Sequence, residues 1–317
     1  MSGSRVGATG LLRQSPAASP AAFERPAARR PFSTGVQAAL LLLALFAAGC
    51  AGASAALAPP SAYIGIIIDD LGNSRHGGEL AVRLPGPVAC AILPGTPYAA
   101  LLARMARRHG KEVLLHLPME PVAGLNPGPG ALDTAMSRTL FTLTLDADLD
   151  SIPGVAGVNN HMGSLLTSRT IPMEWLMRTL SQRGGLFFVD SRTIAASVAA
   201  RTAAAYRVPA LSRDVFLDDV PTAGAVERQL ALLLRIAHRR GYALAIGHPH
   251  SATLDVLRQW LPLLALRRVR LVPLSTLLAL RSGRALPWAP GPARPPGAVG
   301  QALPRLPDQD DPSLAWP

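Results

Sequence analysis

Ile64-Gly65-Ile66-Ile67-Ile68-Asp69-Asp70-Leu71-Gly72 decides the fold of this chain. The run from Ile64 to Ile68 is apolar at every position, which marks a strand buried on both faces, the kind found in parallel sheets covered by helices. It stops at two adjacent carboxylates. Two acids side by side repel, and folding gains nothing from them unless a cation or proton lies near. In parallel α/β architectures the carboxyl ends of strands are where sites are built, so Asp69 and Asp70 point to chemistry.

Outward from that strand, short apolar runs alternate with helix-period segments. Strands are expected near residues 63–68, 88–93, 112–117, 156–159, 186–189, 215–217, 243–246 and 270–272. Helices are expected near 98–109, 172–183, 195–206, 223–240, 252–265 and 275–280. This β-α alternation predicts parallel strands with covering helices, and that many units favour a curled α/β barrel over an open sheet. No Gly-x-Gly-x-x-Gly follows the first strand and no Walker sequence occurs, so neither the dinucleotide fingerprint nor a P-loop is read here.

Polar residues recur at the other strand exits. They are His116 and Glu120 in His116-Leu117-Pro118-Met119-Glu120, and His161 in Asn159-Asn160-His161-Met162-Gly163-Ser164. Asp190 precedes Ser191-Arg192, Arg213-Asp214 precedes Val215, and Gly247-His248-Pro249-His250 ends the last long strand. Asp218 and Asp219 read as caps for the helix that follows. The turn-rich Asn126-Pro127-Gly128-Pro129-Gly130 reads either as a cover for the cleft or as a plain connector.

Composition bounds the rest. The chain has 317 residues, 49% hydrophobic and 16% charged, with net charge +11. That excludes a wholly disordered protein. The basic charge is almost all arginine, with Lys111 the only lysine, and no arginine run is interleaved with aromatics, so no nucleic-acid partner is expected. Cys50 and Cys90 make neither a disulfide scaffold nor a zinc ribbon, and Cys90 reads as a small buried hydrophobe. Residues 1–35 form a polar basic leader. Residues 36–58 are apolar and free of charge, enough for a membrane anchor or a signal peptide, with the following domain exported or held at the inner membrane on its periplasmic side. Ala47-Ala48-Gly49-Cys50 is similar to a lipobox. Residues 61–281 form the folded domain, and 282–317 a Pro-rich disordered tail.

Taken in order, the six motifs resemble the divergent polysaccharide deacetylases, YibQ-like relatives of the NodB-type carbohydrate esterases. The resemblance covers about residues 61–280. It implies a distorted seven-stranded (β/α) barrel, a periplasmic location, a polysaccharide substrate and a divalent metal, usually zinc. Position by position it implies Asp69 as base, Asp70 and His116 as ligands, and His248 as the acid that protonates the leaving amine. Asp190 or Asp214 would orient His248. Asn160 and Arg213, read from the strand-end polar residues themselves, are possible further site residues. The family pattern has a second histidine where Glu120 stands here. Glu120 or His161 then completes the metal site, or the metal is lost. Three functions follow from these alternatives: a metal-dependent deacetylase of an envelope or exported glycan, a catalytically inactive carbohydrate-binding relative, or an envelope partner protein.

Overall fold

A computed structural model describes residues 60–122 and 124–283. The expected leader (1–35) and apolar segment (36–58) lie outside the described residues, as do residues 284–317 of the expected tail (282–317). Among the described residues no helix is long and apolar enough to cross a membrane.

The chain alternates strands and helices as its hydrophobic periods predict. The strands are β1 (Ala62–Leu71), β2 (Ala89–Ile92), β3 (Val113–Met119), β4 (Val155–Met162), β5 (Phe187–Asp190), β6 (Ala210–Ser212), β7 (Val215–Phe216), β8 (Tyr242–Gly247) and β9 (Val269–Leu271). The helices are α1 (Arg75–Val82), α2 (Ala99–Arg108), α3 (Arg138–Ser151), α4 (Thr170–Arg183), α5 (Ala199–Ala205), α6 (Ala223–Arg240), α7 (Ser251–Trp260) and α8 (Leu274–Arg281). Every described strand pairing is parallel.

The strand order is β6-β5-β4-β3-β2-β1-β8-β7. Its two ends, β6 and β7, are consecutive in the chain and separated only by Arg213 and Asp214. Three Cα steps of 3.8 Å cannot span more than about 11 Å, so the sheet must curl until its edges nearly meet. This is the distorted barrel expected, with eight segments on the path rather than seven because the chain is interrupted at Arg213-Asp214. β8 pairs with Tyr63–Ile68 of β1. On the other edge of β1, β9 takes Ala62–Ile64 and β2 takes the part from Ile67.

Strand alternation sorts the core into two layers. Ile64, Ile66, Ile68, Leu115, Leu117 and Phe188 join the larger cluster with the helices. Ile67, Leu114, Val189, Leu244 and Ile246 form a second cluster on the opposite face, the barrel interior. Leu274 and Leu277 of α8 join that inner cluster and plug the N-terminal end of the barrel. Gly65 makes this possible, since a Cβ there would clash with Leu277. Glu112 anchors the plug by accepting from Leu274 N at 2.6 Å and Ser275 N at 3.1 Å, which satisfies first-turn donors of α8.

Three elements escaped the sequence reading. α1 carries Gly77-Gly78, poor helix formers, yet Gly78 is where Leu102 of α2 packs, and a Cβ would collide with it. α3 alternates Thr and Leu like a strand, but Ser137 caps it by accepting from Leu140 N, and Phe141, Leu145 and Leu149 bury one face at helical spacing. β6 has three residues, too few for any period to show. Cys90 is fully buried as expected, its thiol pushed up to about 12 by burial and therefore inert.

Asp148 on the inner face of α3 is an outlier. Its carboxyl is buried, and Oδ2 has no hydrogen-bond partner. Burial pushes its pKa from 3.8 up to about 7. Between those pH values the folded chain takes up a proton that the unfolded chain does not, so this group's contribution to stability falls as pH rises and is fully adverse above about 7. Asp148→Asn is therefore expected to stabilise the fold by about 1–3 kcal/mol at pH 8, with the gain disappearing below pH 4. Urea midpoints followed by circular dichroism at both pH values check this. An equal effect at the two would sink it.

Candidate metal centre and its cleft

The inner-face parity that builds the barrel core also builds the site. One step beyond Ile67, Leu114, Val189 and Ile246 along their strands come Asp69, His116, Ser191 and His248, and Gly157 leads in the same way to Asn159 and His161. β3 and β4 hold His116 level with Asn159 and Pro118 level with His161. The polar stretch from Asn159 to Met162, expected as a turn, continues β4 to its end. His116 likewise sits inside β3.

Asp70 has the wrong parity, and the backbone corrects it. The β1–β2 register shifts between Ile68 and Leu71, a bulge, and Asp70 takes φ +57°. A bulge places two successive side chains on one side, so both carboxylates turn into the barrel mouth. Met162 (φ +52°) and Arg192 (φ +50°) adopt the same left-handed conformation beside the site. Such conformations cost energy in non-glycine residues and persist where their surroundings impose them.

Asp70 Oδ1, His116 Nε2 and His161 Nδ1 converge. Asp70 Oδ1 lies 3.1 Å from His116 Nε2 and 2.9 Å from His161 Nδ1, and the two nitrogens are 3.1 Å apart. Despite these short distances Asp70 Oδ1 is buried without a hydrogen-bond partner. An ion bonded at about 2.0–2.1 Å holds ligand atoms about 3 Å apart, which matches this triangle. One carboxylate and two imidazoles suit zinc or a similar divalent ion, so the residues present fit such a group. Burial alone would raise the Asp70 carboxyl, but the adjacent His116 and His161 outweigh it and hold it well below the carboxylate range.

Between the two residues open for the remaining ligand position, the geometry separates cleanly. Glu120 Oε2 accepts from Thr134 N at 2.7 Å and Thr134 Oγ1 at 2.6 Å, tying the loop after β3 to the chain before α3. It is not part of the three-atom cluster, whereas His161 is.

Asp69 is 2% exposed. Its Oδ1 accepts from Asn159 Nδ2 at 2.8 Å, and its Oδ2 lies 3.7 Å from His116 Nε2. Burial pushes its pKa up, against the pull of His116, His248 and the Asn159 bond.

His248 faces the triangle from β8, with Nε2 3.8 Å from Asp70 Oδ2. Asp218 orients it, not the residues expected to. Asp218 Oδ1 accepts from His248 Nδ1 at 3.0 Å, and Oδ2 accepts from His248 N at 2.6 Å and Thr253 Oγ1 at 2.7 Å. Burial disfavours the cation, but the Asp218 bond and the charges of Asp69, Asp218 and Asp70 outweigh it and push His248 up to about 9. Asp218, His248 and exposed His250 form a second three-donor group. In it the Asp218 oxygens are already spent on protein donors, so it reads as an oriented imidazole.

The other expected site residues serve the frame. Asp190 shares parity with outward-facing Phe188; its oxygens accept from Arg192 N and Ser197 Oγ, both at 2.8 Å, and fold the loop before α5. Asp214 is pinned to Arg240 at 2.6 Å and to Leu244 N at 2.8 Å, four residues short of His248 along β8 and too deep to reach it. Asn160 ties β4 to β5 by accepting from Ser191 N and donating to Met162 O. Arg213 donates to the carbonyls of Ser191 and Arg192, and its guanidinium lies 5.0 Å from the Phe216 ring.

A cavity of about 280 Å³ opens beside Asp70 and His161, between residues 93–96 and 126–129. The Asn126-to-Pro129 loop lines it, so the cover alternative describes its placement. Asn73, Thr96 and Asn126 supply neutral polar groups, and among the described residues no arginine or lysine lines it.

A family model described as divergent polysaccharide deacetylase matches residues 66–278. The uncharacterized protein YibQ of Escherichia coli (strain K12) is 35% identical over 229 residues, 72% of this chain and 68% of that protein. An uncharacterized Haemophilus influenzae protein is 35% identical over 195 residues, 62% of this chain and 69% of its own length. The crystal structure of uncharacterized protein ATU2773 from Agrobacterium tumefaciens C58 is similar with TM-score 0.67 and 29% identity, covering 69% of this chain and 90% of that one.

Proposed function

The chain belongs to the divergent polysaccharide deacetylase family, and from that premise we propose that it is a metal-dependent hydrolase removing N-acetyl groups from an envelope or exported glycan. The observation that carries this is the three-atom triangle of Asp70, His116 and His161, whose orphaned buried oxygen calls for a cation.

A divalent ion held there would polarise the amide carbonyl and acidify a water. The rest falls to the chain. Asp69 Oδ2 takes a proton from the attacking water, because Oδ1 is engaged by Asn159. Outweighing burial, Asp218, with Asp69 and Asp70, pushes His248 up to about 9, which favours its protonated form. The His248 Nδ1–H is held by Asp218, so Nε2–H is the proton that reaches the leaving amine. The glycan lies along the cavity beside Asp70 and His161, where Asn73, Thr96 and Asn126 offer it polar groups. Localisation in the envelope rests on the apolar segment at residues 36–58 and is part of the same proposal.

The experiment is acetate release from an N-acetylated oligosaccharide by the purified protein. Activity is expected with zinc, loss on dialysis against a chelator, and recovery on adding zinc back. Release of acetate unaffected by the chelator, or none under any metal, would overturn the proposal.

A further inference from the structure

We infer that Asn159 is a positioning residue that sets the proposed ligand His116 and the proposed base Asp69 through one side-chain amide. The inference rests on the functional reading above and deepens it. Asn159 is fully buried and lies level with His116 in the β3–β4 register. An amide has a fixed polarity, in that its nitrogen only donates and its oxygen only accepts. The Asp69 carboxylate accepts, so the amide nitrogen must face it, at 2.8 Å. The amide oxygen then faces His116 Nδ1 at 3.0 Å, and a bond there requires that Nδ1 carry the hydrogen. In the neutral ring the lone pair is left on Nε2. That atom lies 3.1 Å from both Asp70 Oδ1 and His161 Nδ1, at the triangle where a cation fits. One side chain thereby aims the ligand lone pair at the centre and reserves Asp69 Oδ2 for the reacting water. Ser191 Oγ, 3.4 Å from the same amide nitrogen, closes the far side.

The two halves of this clamp separate by mutation. Asn159→Ala removes both. Asn159→Asp keeps an acceptor for His116 Nδ1–H but takes the donor from Asp69 and puts a like charge beside it. The tautomer is read from ¹⁵N shifts of the His116 ring in the metal-free full-length protein, at a pH high enough that the ring is neutral, and zinc affinity from competition with a chelating dye. Expected are an Nδ1–H signature in the wild type, zinc binding about 10–100-fold weaker in Asn159→Ala, and zinc binding within about threefold of wild type in Asn159→Asp, with acetate release lost in both. A merely structural role would lower zinc affinity and thermal midpoint together in both variants. An Nε2–H signature in the wild type, unchanged zinc affinity in Asn159→Ala, or equal loss of zinc in the two variants would overturn the inference. The tautomer requires neither metal nor substrate, so it decides the clamp even if the hydrolase reading fails.

Discussion

Asp69→Asn is expected to cut acetate release by about 10²–10⁴-fold, the usual contribution of a positioned general base, while leaving bound zinc unchanged. The substitution is isosteric. The new side chain still offers its oxygen to Asn159 Nδ2, so the bond now 2.8 Å long survives. What disappears is the proton acceptor at Oδ2, replaced by an amide nitrogen with no basic lone pair. The Asp69 oxygens lie outside the triangle, with Oδ2 3.7 Å from His116 Nε2. Stability is expected to hold or rise, because burial disfavours the ionised form of this carboxylate. Single-turnover rates with zinc content measured on the same sample separate the two effects. A variant with full activity would remove Asp69 from the chemistry, and one that lost its zinc would make it a ligand instead.

Much of this arrangement was legible because strand parity carries it. Ile64 to Ile68 announced a doubly buried strand, and Asp69, Asp70, His116, His161 and His248 all lie toward the carboxyl ends of their strands, though the strands carrying the first four run further than expected. Three things were hidden, each for a physical reason. The bulge that turns Asp70 inward is a backbone event, with φ +57° at a residue whose sequence context looks like plain strand. Asp218 sits two residues past β7, where a capping carboxylate and an imidazole partner look alike until β8 is placed beside it. Asn159 looked like turn material because β4 was expected to stop there; extended to Met162, its alternation puts Asn159 and His161 on one face. Of the two alternatives that the sequence left open for the remaining ligand, Glu120 turns its side chain to Thr134 while His161 lies in the cluster.

The second large effect concerns the metal itself. His116 is 2% exposed and supplies one corner of the triangle. Its replacement by Ala leaves two ligands and is expected to weaken zinc by at least about 100-fold and to abolish acetate release with it. Asp70 Oδ1, His116 Nε2 and His161 Nδ1 lie within 3.1 Å of one another, an arrangement compatible with a shared divalent ion.

The most direct measurement is anomalous diffraction at the zinc edge from crystals of the wild-type protein soaked in zinc, with His116→Ala crystals treated alike. Expected is one strong peak within bonding distance of those three atoms, absent from the variant. A wild-type map empty at that point, or with its only peak on Asp218, His248 and His250, would contradict a metal centre at the mouth of this barrel.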